Sequence, residues 1–594
     1  MMSGPFSRLP FFLPPGKGSA LYRAQRTNAV VVVLSIAISS LPVEARMPSG
    51  GGNAAQKTSV TTAQTDPAPT EYVGDAVCAK CHGAISDSYK RTPMAHASGP
   101  AGENFIPADF THPESGVHYR IYQDNGRVWL SFDRGGANPV HGKRELLYYL
   151  GSGRRGMTYL FADDGFLFES PINWYGGRAA WDMTPAFQST REAPLNLPAY
   201  TSCLDCHVSG FRPPLSGTEN RYGMPLLSDS GITCERCHGP GARHAKGAPM
   251  VNPAKLPPER RDAVCMQCHL EGRVSVERAG RHLYEYRPGD SLDDYIRYYV
   301  LADAPAKLGA VSQVEALSES TCKKVSGDKM SCTSCHDPHF SPSANERTAY
   351  FRGKCLACHG AESGDRHHPE QKDCTGCHMP ASLSKDVAHT EVTDHRVPRI
   401  RNLPPPLPRD ANASTSEAGL VPFPDSPEAR KDIRDLALAW EQFTDSGADV
   451  SRSRAEELLR RSVAEFPDDA ASLSALGYEE QVRGNVEEAR KMYQRALASD
   501  PNLIDAATNL AVIEAGSGNI SAAINLLQGA FDRAPARSSV GMNLAQVYCL
   551  AGEPDRARAS AVRILEFNPD LRAAREFLEE LRPGSSCRAG DPSK

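Results

Sequence analysis

The chain offers no segment suited to crossing a bilayer and no charge excess suited to gripping a nucleic acid. Its one sustained apolar run, Ala29 to Leu41, has 13 residues, where a membrane-spanning helix needs about 20. Its 66 Lys and Arg stand against 71 Asp and Glu, a net charge of −5, and so balanced a surface makes no electrostatic case for DNA or RNA. No cysteine lies near the small residues that follow the apolar run, which excludes a lipid-modified leader. Cysteine is also missing from the 120 residues between His82 and Cys203.

Elsewhere cysteine is plentiful and is placed in one way. Cys-x-x-Cys-His occurs seven times: Cys78, Cys81 and His82; Cys203, Cys206 and His207; Cys234, Cys237 and His238; Cys265, Cys268 and His269; Cys332, Cys335 and His336; Cys355, Cys358 and His359; Cys374, Cys377 and His378. The residue frequencies alone would give about 0.015 copies of this haem c attachment pattern. Two thiols three residues apart leave one side of a helical turn and can form thioethers with the two vinyl groups of one haem. The following histidine then reaches the iron as proximal ligand. Seven motifs imply seven covalently held haems c. Zinc is the alternative, because 15 residues separate Cys358 from Cys374 in a ribbon-like spacing. Against it stand the histidine after every pair, the odd number of motifs, and an exported chain's oxidising surroundings.

Residues 1–45 read as a secretory leader, with Lys17, Arg23 and Arg26 before the apolar run and Val43 and Ala45 at a cleavage site. An uncleaved anchor is the alternative. Residues 46–70 read as a flexible tether, 71–400 as the heptahaem domain, and about 105–190 within it as a β-rich insertion. In that insertion Asp124-Asn125-Gly126 and Asp163-Asp164-Gly165 each separate two strand-like runs, a hairpin signal. Its expected role is to cover the first haem, with a substrate-binding module as the alternative. Residues 401–428 read as a Pro-rich linker between independently folding units.

Beyond the linker the period changes. Pro467, Pro501, Pro535 and Pro569 are 34 residues apart, as are Gly484, Gly518 and Gly552, and Ala455, Ala489, Ala523 and Ala557. This is the tetratricopeptide register. It predicts three repeats, a half-matched one from Ile433 to Pro467, and a capping helix within 429–583, before a tail at 584–594. Such arrays dock partner proteins; stabilisation or dimerisation is the alternative role.

Eleven of the 18 histidines lie outside the motifs. His244 and His339 follow a motif too closely to reach the far face of its haem, so each is expected to serve a neighbour. With His389 and His395 they are the favoured distal iron ligands; His368, His96 and His112 come next, with Met94 as an alternative to His96. His118, His141, His282 and His367 are taken as ordinary surface or core histidines.

CERCHGPGARH, MSCTSCHDPH, CTGCHMP and AHTEVTDHRVPR resemble the multihaem cytochromes c with doubled CxxCH motifs that carry C-terminal tetratricopeptide repeats, over about residues 72–582. The resemblance implies an exported electron-transfer protein with stacked bis-histidine haems, related in haem packing to the hydroxylamine oxidoreductase and pentahaem nitrite reductase group. Those nitrite reductases typically use CxxCK, which does not occur here. Cys322 matches a cysteine often seen at its place in the family and is expected to be a buried thiol. Cys549 and Cys587 are expected to be structural or incidental.

The expected fold is thus multidomain: a haem-packed, mostly irregular and α-helical cytochrome domain with a β-rich insertion, then an all-α solenoid. The expected function is electron relay in the periplasm, with the cell surface or membrane association as alternative locations, and redox partners docked by the repeats. Two other functions stay open: oxidoreduction of a small nitrogen or sulfur compound at one five-coordinate haem, and a repeat-based scaffold with accessory haems.

Overall fold

The computed structural model describes residues 71–581, apart from residue 137 and residues 303–307, 361–372, 384–390, 399–418 and 445–448, together with Cys587. The expected leader and tether, most of the Pro-rich segment, His367, His368 and His389 lie outside the described residues. No helix among the described residues is long and apolar enough to cross a membrane.

The β-rich part is one antiparallel sheet of nine strands: β1 (Ser98–Pro100), β2 (Ala108–Thr111), β3 (His118–Asp124), β4 (Arg127–Arg134), β5 (Val140–Leu150), β6 (Gly156–Asp163), β7 (Phe166–Glu169), β8 (Ile172–Tyr175) and β9 (Ala180–Met183). Its path runs β2-β3-β4-β5-β6-β8-β9, with β1 on β5 and β7 on β6. The two expected hairpins turn where the sequence places Asn-Gly and Asp-Gly. Asn125 and Gly126 take φ 50° and 77°, and Asp164 and Gly165 take 50° and 79°, left-handed pairs that tight hairpins require. Alternate residues point inward, so Tyr119, Ile121, Leu130 and Phe132 are buried. Trp181 Nε1 donates to Pro107 O at 2.8 Å, which draws the last strand back toward β2 and nearly closes the sheet.

Two small antiparallel sheets follow. One joins β10 (Val274–Glu277), β11 (Ile296–Leu301) and β14 (Leu420–Phe423), with β11 in the centre. The other pairs β12 (Ala381–Leu383) with β13 (Glu391–Thr393).

The C-terminal helices are α1 (Ile433–Thr444), α2 (Asp449–Glu465), α3 (Ala470–Val482), α4 (Val486–Ser499), α5 (Ile504–Gly516), α6 (Ile520–Arg533), α7 (Ser538–Leu550), α8 (Pro554–Phe567) and α9 (Arg572–Glu580). Ala455, Ala489, Ala523 and Ala557 are fully buried where paired helices cross. Gly484, Gly518 and Gly552 end the first helix of their repeats at φ 84°, 84° and 75°, the left-handed position that glycine fills without a Cβ clash. The half-matched segment from Ile433 is a complete helix pair, so four repeats and a capping helix form the array.

The array is packed on the N-terminal body at both ends, which corrects the expectation of a plain linker between independent units. Leu420–Phe423 is a strand of the body, and α1 packs on its sheet, with Val276, Tyr299 and Leu420 sharing a core with Ile433, Ala437 and Trp440. Arg278 pairs with Asp432 and Asp435 across this junction, and Arg297 reaches Asp432 at 3.0 Å. At the other end Phe567 enters the core of the nine-stranded sheet beside Phe166 and Phe168. Asp570 there accepts from Arg134 at 2.7 Å and from Ala193 N at 2.8 Å. Arg537 joins Asp505 of α5 to Glu219 of the body at 2.6 and 2.7 Å.

Candidate haem sites

Every CxxCH lies on a helical turn. His82 N donates to Cys78 O at 3.0 Å, His336 N to Cys332 O at 3.0 Å, and His378 N to Cys374 O at 2.9 Å. The other four motifs form or end the helices Thr201–His207, Cys234–His238, Pro258–His269 and Arg347–His359. This turn brings the two thiols to one side, as thioether attachment needs.

The first five motifs open onto one cavity of about 3890 Å³. Shared among the five, that is about 780 Å³ each, inside the usual range of about 300–1,000 Å³ for one large ligand. His244, His339 and His395 also line it, and each faces a motif histidine. The ring centres of His82 and His244 are 6.2 Å apart at 13° between planes, those of His238 and His339 6.0 Å at 12°, and those of His336 and His395 6.3 Å at 27°. A metal–imidazole bond is about 2 Å, and a ring centre lies roughly 1.2 Å behind its nitrogen, so two imidazoles sharing an iron hold their centres about 6.4 Å apart. The residues fit the group.

The free nitrogen also points the right way. Nδ1 faces a carbonyl oxygen in His238 (Val251, 2.9 Å), His244 (Ala248, 2.8 Å), His395 (Thr393, 2.8 Å), His207 (Ala97, 3.3 Å) and His378 (Pro398, 3.0 Å). A carbonyl only accepts, so Nδ1 carries the proton and Nε2 keeps its lone pair for a metal. Burial lowers the pKa of His207, His269, His339 and His395. Burial and then His395 push His336 down to about 4. These rings are therefore held in the neutral form that ligates.

Thiol contacts order the motifs. Thiols of neighbouring motifs lie close enough to shift one another's acidity: Cys78 and Cys234, Cys206 and Cys268, Cys265 and Cys332, and Cys355 and Cys374. Cys237 is near enough to Cys268, and Cys335 to Cys358, to feel its charge. The contacts run from motif one to three, four and five and on to six and seven, with motif two beside four. Among the described residues no group of three or more Cys, His, Asp or Glu side chains is arranged to hold a single metal ion.

Comparison with known proteins points to the same class. Residues 180–239, which hold the second and third motifs, match the family model for cytochrome c554 and c-prime, and residues 514–581 match a tetratricopeptide repeat. The multiheme cytochrome MtrA of Shewanella baltica is 27% identical over 191 residues, covering 28% of this chain and 54% of that protein. The chain is a multihaem cytochrome fused to tetratricopeptide repeats. It spans about half the length of that curated relative. The outer cell wall cytochrome OcwA aligns with 78% of this cytochrome and all of its own chain at 17% identity and a TM-score of 0.38; MamA aligns with 24% and 81% at 18% and 0.22. Scores this low add nothing to the case.

In this cytochrome the structure departs from expectation at two histidines. His96 is exposed, with Nε2 2.7 Å from Lys90 O, and His112 is buried at the turn after β2, with Nδ1 2.9 Å from Ser115 Oγ. Neither lines the cavity, whereas Met94 does. Strand pairing carries His112 away with the sheet. The sheet backs the second motif: Cys203 Sγ donates to Glu169 of β7 at 3.4 Å, and His207 is held by Ala97. Burial raises the Cys335 thiol, with Cys322 the next cause, which places Cys322 beside the fifth motif. His118 pairs with Asp109 and His282 with Glu277, ordinary surface roles.

Sequence reasoning passed over the variable residues inside the motifs. Arg236 Nη2 donates to Asp205 O at 2.9 Å, and Gln267 Nε2 to Arg236 O at 3.5 Å, so motifs two, three and four lock together through positions that the pattern writes as x. Such contacts depend on the fold and leave no mark in the spacing.

Proposed function

We propose that this cytochrome is an exported electron relay carrying seven covalently bound haems c. The observation that carries the reading is the set of three imidazole pairs, 6.0 to 6.3 Å between ring centres, along one cavity. In this reading His82 and His244 hold the first iron, His238 and His339 the third, and His336 and His395 the fifth. Each distal ligand is lent by the segment behind the next odd motif, which draws consecutive sites together. Bis-imidazole haem iron supplies one-electron exchange at low potential. The chain's own part is to fix the ligands through their Nδ1 bonds, to keep the rings neutral, and to wall the cavity with apolar surface.

Two further features support the reading. Cys549 and Cys587 form a disulfide, the mark of an oxidising compartment. The repeats are anchored on the body at both ends, so a redox partner docked on them would be set at a fixed place along the haem chain. A second reading, oxidoreduction of a small nitrogen or sulfur compound, falls to the second and fourth motifs. Among the described residues no histidine ring faces His207 or His269. EPR of the ferric protein decides between the two. A wholly low-spin spectrum supports the relay, and a high-spin signal that shifts with added nitrite, hydroxylamine or sulfite supports the enzyme.

A further inference from the structure

His244 is exposed, and its ring is tied by the single Nδ1 bond to Ala248 O. Side-chain packing therefore does little to place it opposite His82. The backbone of residues 241–244 must do so, and beyond the bonds of its own turn that backbone has two anchors. Ala242 N donates to Glu71 O at 2.9 Å. Gly241 N donates to Glu235 Oε1 at 2.7 Å.

Glu235 is the first variable residue of the third motif and is 3% exposed. Besides Gly241 N, its carboxylate accepts from Val73 N at 3.0 and 3.1 Å and from Gly74 N at 2.9 Å, the residues that open the helix of the first motif. The exchange is reciprocal, because Asp75 Oδ1 accepts from Cys234 N at 2.9 Å at the start of the third motif's helix. One buried carboxylate thus holds the first motif, the third motif and the loop carrying His244. The fit is close: a Cβ at Gly241 would meet Val73 Cγ2 at 2.9 Å and Glu235 Oε1 at 3.0 Å. A buried carboxylate with several N–H donors is a rigid joint, since leaving any of those groups unpaired is costly.

We propose that Glu235 is the positioning residue that sets His244 against His82, so that a side chain of the third motif fixes the distal ligand of the first haem. The inference rests on the reading that His82 and His244 share an iron. Glu235 touches no iron itself and acts through the four-residue stretch Gly241–His244.

The test uses the full-length haem-loaded protein in four forms: Glu235→Ala, His244→Ala, the double variant and Glu235→Gln. Haem number is read by intact mass and spin state by ferric EPR. Glu235→Ala is expected to keep its haems and turn one of them from low-spin to high-spin, with added imidazole restoring the low-spin signal. The double variant should match His244→Ala, because both changes open the same position. Glu235→Gln keeps one acceptor oxygen and should give a smaller high-spin fraction. If Glu235→Ala stays wholly low-spin while His244→Ala does not, Glu235 positions nothing and the proposal fails alone. If His244→Ala is also low-spin, the shared-iron reading fails with it. Two high-spin haems in the double variant would also overturn the proposal. Should Glu235→Ala lose haem, Glu235→Gln decides: a partial, imidazole-reversible high-spin signal supports the role, and a low-spin spectrum refutes it.

Discussion

Replacing Phe567 by alanine should weaken the hold of the repeats on the haem body. The ring is 2% exposed and closes the end of α8 against the nine-stranded sheet. It meets Phe166 edge-on, with centres 6.2 Å apart at 89°, and Phe168 at 5.8 Å. Truncating a buried phenylalanine costs about 3–5 kcal/mol, through lost burial and the cavity left behind. The two aromatic contacts lie inside that figure, at roughly 0.5–1.5 kcal/mol each. Neighbouring Asp570 is the independent probe. It holds Arg134 at 2.7 Å and Arg575 at 3.3 Å, so Asp570→Ala would leave two guanidinium groups without their carboxylate, a loss of about 3–5 kcal/mol for a buried pair. Urea titration followed by far-UV circular dichroism and by the haem absorption band measures both. Each variant should move the helical and haem transitions together to lower urea. A shift below about 1 kcal/mol in both variants, or a helical transition that moves without the haem band, would refute the view that the repeats brace the body.

His395→Ala should turn one haem high-spin in the ferric EPR spectrum and raise one midpoint potential, whereas His112→Ala should leave spin state unchanged, because its ring is bonded to Ser115. Deleting residues 420–594 removes β14 along with the repeats, so the truncated protein should precipitate, checked by haem staining of the soluble and insoluble fractions. Reducing the Cys549–Cys587 disulfide frees a closed loop of 38 residues, worth up to about 4 kcal/mol, and should lower the thermal midpoint of the helical signal.

Features with local causes were legible in the sequence. The seven motifs, the two Asp/Asn-Gly hairpins and the 34-residue period each arise from residues close in the chain. The sequence singles out His244 and His339 as lying too close to their own motif to serve it, and His395 as following the last motif; each ring stands opposite a motif histidine. What stayed hidden is long-range. Leu420–Phe423 pairs with Ile296–Leu301 across more than a hundred residues, and its Pro422 reads as linker. That proline is tolerated because β14 is an edge strand. Phe567 and Arg537 lie within the repeat array and yet serve the body, since the repeat pattern says which residues face inward within the array and not what the array rests on. Glu235 was invisible because a motif leaves its x positions unspecified.

The most direct test of the central claim is the intact mass of the purified, fully denatured protein. Thioether-bound haem survives unfolding, so the account requires the mature polypeptide plus seven haems, one for each CxxCH. A mass short by two or more haems, with zinc found in their place, would contradict it.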